Sequence, residues 1–128
     1  MVLSFDEAGA LLDEMAERFP SALLDGLNGG VNLLEEAVPD PEFPPGEMYV
    51  LGEYCDDLLG RYINLYYGSF AALAEAEDWD GETWAEELRT TFSHELTHHI
   101  ESRSGLHALD DRDAAELEIW RRERREEE

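Results

Sequence analysis

Apolar residues recur three or four positions apart near the start of the chain, between Ser4 and Pro20. The apolar positions are Phe5, Ala8, Leu11, Leu12, Met15 and Phe19. Serine favours helix N-caps, and proline cannot continue a helix. The pattern therefore predicts a first helix that buries its apolar stripe against the core.

A second helical pattern extends from Gly81 to about Ser104. Its apolar residues follow i, i+4 spacing and form a single stripe: Trp84, Leu88, Phe92, Leu96 and Ile100. Asp80 or Thr83 is a candidate N-cap, and Gly105 is a natural end point. We expect this stripe to dock the helix on a sheet.

Between the two helices the composition is typical of short strands. Residues 48–55 and 61–67 are rich in Val, Ile, Leu and Tyr, and the acidic residues and Gly60 between them predict a hairpin. Residues 31–38 form a further candidate strand, and the prolines of residues 39–46 predict an extended loop. We interpret the five tyrosines of the chain as packing residues rather than as a ligand-stacking surface.

Three further helical segments complete the prediction. Short helices are expected at residues 21–27 and 69–76, and a last helix from about Asp113. Residues 121–128 alternate blocks of basic and acidic side chains, which is typical of a solvated helix end or tail.

Length and charge limit the classes of function. The chain has 128 residues, which favours a single domain over residues 1–128. Its formal net charge of -23 argues against binding to nucleic acid or to an anionic membrane surface. The acidic first twenty residues are unlike a signal peptide, and no apolar run reaches membrane-spanning length. The single cysteine, Cys55, forms no internal disulfide and is expected to be half-buried. These features predict a cytoplasmic protein of undetermined oligomeric state.

The stretch His94-Glu95-Leu96-Thr97-His98 carries the clearest chemical signal. Because a helix turns about 100° per residue, two histidines four positions apart stand on one face and can share a metal ion. Glu95 flanks the same site, where a carboxylate can take a proton from metal-bound water. H-E-x-x-H on a helix is typical of zinc hydrolases. The alternative is a surface helix with two histidines and a solvated glutamate.

This motif and two other stretches resemble the minimal zincin-like metallopeptidases, small bacterial proteins with the pattern H-E-x-x-H-x-x-G-x-x-D. The matching stretches are LGEY (residues 51–54), GRYINLYYGSF (residues 60–70) and HELTHH (residues 94–99). The resemblance implies an α+β fold, in which a small mixed sheet of three or four strands packs on an N-terminal helix and on the motif helix. It also implies that the sheet's edge strand lies over the cleft, where an extended peptide can pair with it. His94 and His98 would be zinc ligands and Glu95 the general base.

The chain departs from the family pattern at the third ligand, because Glu101 and Ser104 replace the family's Gly and Asp. Glu101 is too far along the helix from His94 for a short carboxylate to reach the metal, so it is either a partner of the metal-bound residues or an exposed acid. The third ligand is expected after Gly105, where the chain can turn back.

Four residues after Gly105 have suitable side chains: His107, Asp110, Asp111 and Asp113. Asp113 is the preferred candidate, because it would take the place of the family aspartate before the last helix, and Asp110 is next. The alternative for each aspartate is a loop or N-cap acid. His99 lies within the apolar arc, and we interpret it as a structural histidine that is hydrogen-bonded beneath the site.

These observations predict a zinc-dependent metallopeptidase that hydrolyses a peptide or protein substrate, with Zn2+ as its cofactor. In the predicted mechanism Glu95 is the general base for a metal-activated water. The alternative is a binding or regulatory protein that keeps the zincin shape without catalysis. A base beside the first histidine is needed only by the enzyme.

Overall fold

A computed structural model describes residues 1–103 of the chain. The helices are α1 (Phe5–Arg18), α2 (Tyr67–Glu77) and α3 (Gly81–Arg103), with a 3-10 helix at Ser21–Leu24. The strands are β1 (Val31–Leu34), β2 (Val38–Pro39), β3 (Tyr49–Val50), β4 (Gly52–Asp57) and β5 (Gly60–Tyr66). The expected last helix and the charged segment 121–128 lie outside the described residues.

The main sheet is mixed and has the order β1-β5-β4. β1 pairs with β5 in parallel, and β4 pairs with β5 antiparallel, which confirms the predicted hairpin. The hairpin turns at Leu58-Leu59 and closes at Gly60, whose φ of 118° favours glycine. A Cβ at Gly60 would also lie 2.5 Å from Asn28 Nδ2. The fold is therefore α+β with a three-stranded mixed sheet, as the sequence predicts.

The prediction of a single strand over residues 31–38 is wrong. β1 ends at Leu34, and β2 belongs to a separate two-stranded sheet with β3. The Gly68 N–H of α2 donates to the Glu36 carbonyl at 3.0 Å, and a Cβ at Gly68 would lie 2.5 Å from Ala37 N. Residues 35–37 therefore cross the start of α2 and leave the main sheet.

The prediction of one strand over residues 48–55 is likewise only partly right. The strand divides at Leu51, so that β3 pairs with β2 whereas β4 pairs with β5. Pro39 is the second residue of β2, and residues 40–48 then lie outside helices and strands, as their prolines predict.

Both long helices have the predicted N-caps. Ser4 Oγ accepts from the Glu7 N–H at 3.1 Å, and Glu7 Oε1 accepts from the Ser4 N–H at 2.9 Å, which is a capping box. Asp80 Oδ1 accepts from the Thr83 N–H at 2.8 Å and caps α3. These bonds satisfy backbone donors that a helix leaves unpaired at its N-terminus.

The core lies between the helices and one face of the main sheet. All five residues of the α3 stripe are fully buried: Trp84, Leu88, Phe92, Leu96 and Ile100. Ile63 and Leu65 of β5 are also fully buried, and the core includes Leu12 and Met15 of α1. Packing on the sheet thus fixes which face of α3 remains accessible. None of the helices in residues 1–103 combines the length and apolar character needed to cross a bilayer.

Candidate metal centre and cleft

His94 and His98 lie one turn apart on the accessible side of α3, and both side chains are exposed. Their Nε2 atoms are 3.3 Å apart, and the two rings are nearly perpendicular, with an interplanar angle of 87°. Together with the Glu95 carboxylate they form a group whose ligand atoms all lie within 4.8 Å of one another. The helix thus brings the three motif residues together, as their spacing predicts.

The separation of the two nitrogens matches the chemistry of a zinc site. Zinc–nitrogen bonds of about 2.0–2.1 Å with a tetrahedral angle require two ligand nitrogens about 3.3–3.4 Å apart. His94 and His98 Nε2 have this separation without any rearrangement of α3. Imidazole nitrogens and carboxylate oxygens are also common zinc ligands. The donor set therefore fits the ion that the sequence predicts.

Glu95 differs from the histidines because its side chain is buried. It is 6% exposed, and no residue in 1–103 donates a hydrogen bond to its carboxylate. Burial raises the pKa of Glu95, the positive charges of protonated His94 and His98 oppose this shift, and the negative charge of Glu53 adds to it. A buried carboxylate without a hydrogen-bond partner in this part of the chain is unusual and is typical of functional sites.

The site opens into a cleft of about 520 Å³ between α3 and β4. Its wall on α3 includes Glu95 and His98, and its wall on β4 is formed by residues 52–54. β4 is an edge of the main sheet, so that within residues 1–103 its outer backbone groups pair with no other strand. The cleft between helix and sheet, and the edge strand beside it, agree with the geometry that the sequence predicts.

His99 lies beneath the site and is fully buried, which confirms that it is a structural histidine. Its Nε2 is 2.7 Å from the Asp25 carbonyl oxygen, and its Nδ1 is 3.1 Å from the Tyr54 hydroxyl. Because a carbonyl only accepts, Nε2 carries the proton and Nδ1 accepts from Tyr54. Burial lowers the pKa of His99, so the ring is neutral near pH 7. His99 thereby ties α3 to β4 and to the loop at Asp25.

Glu101 lies beside His98, one turn further along α3. Its Oε2 lies 3.9 Å from His98 Nδ1, the nitrogen on the opposite side of the ring from Nε2, and its side chain is 56% exposed. Glu101 is therefore an exposed acid that also contacts a histidine of the motif. The candidates for the third ligand, Asp113, Asp110, Asp111 and His107, lie outside the described residues.

One acid that lines the cleft, Glu53 of β4, is not among the site residues predicted from the sequence. The Tyr66 hydroxyl donates to Glu53 Oε1 at 2.6 Å. Glu53 is opposite Asn64 in the hairpin, so Tyr66 is its diagonal neighbour two residues further along β5. The pair could have been found by aligning the hairpin about its turn. Tyr54 and Tyr67 pack against the core as predicted, whereas the Tyr66 hydroxyl also holds Glu53.

The fold and the cleft define a small α+β protein with an H-E-x-x-H helix against the edge of a mixed sheet. One solved structure, described as a conserved hypothetical protein from Thermus thermophilus, is similar to it. The two chains are 35% identical and superpose with a TM-score of 0.70, over 81% of this chain and 100% of the other. The chain therefore belongs to the family of that protein. No family model and no curated protein matches the chain.

Proposed function

We propose that this protein is a zinc-dependent metallopeptidase that hydrolyses peptide bonds in the cleft between α3 and β4. The observation that carries the proposal is the 3.3 Å approach of His94 and His98 Nε2 beside the buried carboxylate of Glu95. Two exposed imidazoles whose nitrogens converge can supply two of the ligands of a metal site. A buried acid at the same place supplies the base that hydrolysis requires.

His94 and His98 would hold the ion, and Asp113 is the proposed third ligand, with Asp110 as the next candidate. Zinc held by these residues would supply a Lewis acid that lowers the pKa of water and polarises a substrate carbonyl. Glu95 accepts a proton from the attacking water and delivers it to the leaving amine. The raised pKa of Glu95 suits this role, because a base must also give the proton back.

The edge of β4 that no strand of residues 1–103 covers provides the complementary half of the site. An extended peptide that pairs with an edge strand satisfies backbone donors and acceptors on both chains. Residues 52–54 of β4 line the cleft together with Glu95 and His98, so a peptide paired there passes the metal centre. The substrate that we propose is accordingly an extended peptide or an unfolded segment of a protein.

The alternative is a binding or regulatory protein of the same shape. Such a protein would use the histidines but would need no base beside them. A buried carboxylate that accepts no hydrogen bond within residues 1–103 lowers stability, and a purely binding role gives no reason for it. The burial of Glu95 therefore favours the enzyme.

The proposal is tested by metal analysis and peptide digestion of the full-length protein, purified without chelator. We expect one equivalent of zinc in the wild type and in Glu95→Gln, and cleavage of a peptide library by the wild type alone. Glu86→Gln is a matched control, because Glu86 is an exposed acid on the same helix. Bound zinc without cleavage of any peptide would support the binding role instead, and the lack of both would refute the metal site.

We also propose that the protein acts in the cytoplasm. A lone cysteine is typical of proteins in reducing compartments, where disulfides are rare. Fractionation of cells that express a tagged chain from its own gene tests this location.

A further inference from the structure

The cleft is lined by two carboxylates in addition to Glu95. Glu53 belongs to β4 on one wall, and Glu101 belongs to α3 on the other. No arginine of residues 1–103 lines this cleft. A peptide that pairs with the edge of β4 therefore passes close to both of these acids.

Glu53 is held in place by the fold rather than extended freely into solvent. The Tyr66 hydroxyl donates to it at 2.6 Å, and Tyr66 itself is 7% exposed. A carboxylate has room for about four hydrogen bonds, so one bond from Tyr66 leaves acceptor capacity for a ligand. Because the buried Tyr66 already holds the Glu53 side chain, Glu53 loses little conformational entropy when it binds a cation.

Glu95 provides an independent sign that the cleft is built for a ligand. As a whole residue Glu95 is 6% exposed, and it lines the cleft and accepts no hydrogen bond from residues 1–103. A buried acid that lines an open cleft in this way is typical of a site that binds a ligand.

We propose that the cleft selects peptides with an arginine or lysine side chain close to the scissile bond, and that Glu53, positioned by Tyr66, binds this side chain. The inference rests on the proposed peptidase function and names its substrate class. Side chains of a peptide paired with β4 alternate between the two faces of the sheet, so one of them is presented to Glu53. Arginine fits best, because a guanidinium donates two parallel hydrogen bonds to a carboxylate.

The hairpin contains a matched control for Glu53. Asp57 is on the same strand, and the Tyr62 hydroxyl donates to it at 2.8 Å. Asp57 is opposite Gly60, so Tyr62 is its diagonal neighbour, as Tyr66 is for Glu53. Asp57 does not line the cleft. Asp57→Asn thus removes the same charge beside the same kind of tyrosine contact and leaves Glu53 unchanged.

The test uses zinc-loaded full-length protein and internally quenched octapeptides in which each position carries either arginine or its neutral isostere citrulline. At one position we expect kcat/KM to be at least about tenfold higher for arginine, because charge-assisted hydrogen bonds are strong. Glu53→Gln should reduce the ratio of the two kcat/KM values, arginine over citrulline, to about one. Asp57→Asn should keep the preference. Tyr66 can still donate to glutamine, so we expect Glu53→Gln to fold.

A second measurement separates this inference from the peptidase proposal. Binding of the same peptide pairs to zinc-loaded Glu95→Gln is followed by fluorescence anisotropy, with and without Glu53→Gln. Tighter binding of the arginine peptide that depends on Glu53 would support the subsite, even if the wild type cleaves nothing and the peptidase proposal fails. Equal cleavage and binding of both peptides, or an equal loss of preference in Asp57→Asn, would overturn it.

Discussion

Replacing Glu95 by glutamine should stabilise the metal-free protein while it abolishes the proposed activity. Glu95 is 6% exposed, and within residues 1–103 its carboxylate receives no hydrogen bond. A charge in this environment has lost much of its hydration and has gained no hydrogen bond from residues 1–103 in exchange. Glutamine has nearly the same volume and carries no charge, so the packing around position 95 is retained.

The size of the effect follows from the burial of the carboxylate. A buried polar group without a partner costs about 1–3 kcal/mol, and a charged group lies at the upper end of this range. The glutamine amide keeps part of this cost, because it is polar and is buried at the same position. We therefore expect Glu95→Gln to raise the free energy of unfolding by about 1–2 kcal/mol. For a chain of this length the melting temperature would increase by about 3–10 °C.

The assay is urea unfolding of both proteins at neutral pH in the presence of a chelator, with thermal unfolding as a second measurement. Glu101→Gln is the control, because Glu101 also lies beside His98 but its side chain is 56% exposed. Its substitution should change stability by less than about 0.5 kcal/mol. The reasoning would be refuted if Glu95→Gln were less stable than the wild type, since the carboxylate would then have a stabilising partner.

Four further variants test other contacts of the fold. Tyr54→Phe removes the donor to His99 Nδ1 and should cost about 1 kcal/mol in urea unfolding, whereas an unchanged midpoint would contradict the hydrogen bond. The N–H groups at the start of α3 lower the pKa of the Asp80 carboxylate from its ordinary value of 3.8. The ionised cap therefore stabilises the fold above pH 3.8, and this stabilisation is lost as the pH falls through the lowered pKa. Asp80→Ala should therefore be less stable than the wild type at neutral pH, and the difference should narrow at acidic pH. Gly52→Ala should cost about 1–3 kcal/mol, because its Cβ would lie 2.7 Å from a leucine carbon of β5. Gly9→Ala should instead stabilise α1 by about 0.5–1 kcal/mol, because its nearest contact would be 3.8 Å, and thermal unfolding of both variants checks the opposite signs.

The helices were predictable because their signals are local. The predicted range from Gly81 to about Ser104 corresponds to α3 (Gly81–Arg103), and its apolar stripe is the buried face. Ser4 and Asp80 act as N-caps because a short oxygen-bearing side chain can reach the backbone within three residues. The candidate site followed from the same periodicity, since helical spacing alone places His94 and His98 together.

The strands were less predictable because their pairing is decided by contacts distant in sequence. Nothing in residues 31–38 indicates that the chain leaves the sheet after Leu34. The cause is the close approach of Gly68, more than thirty residues away, to the backbone of residues 35–37. The contact between Glu53 and Tyr66 likewise depends on the register of the hairpin, which composition does not specify.

The convergence of the two histidines is a feature that the packing of α3 does not explain by itself. Two residues four positions apart are separated by about 6 Å along a helix, yet the Nε2 atoms are 3.3 Å apart. Both rings are exposed, so no core contact forces them together. A shared proton accounts for the distance when one ring donates to the other, but it gives no reason for a buried carboxylate on the same helix turn. A shared metal ion accounts for both the distance and the carboxylate, and for this reason the arrangement favours a hydrolytic centre over a pair of surface histidines.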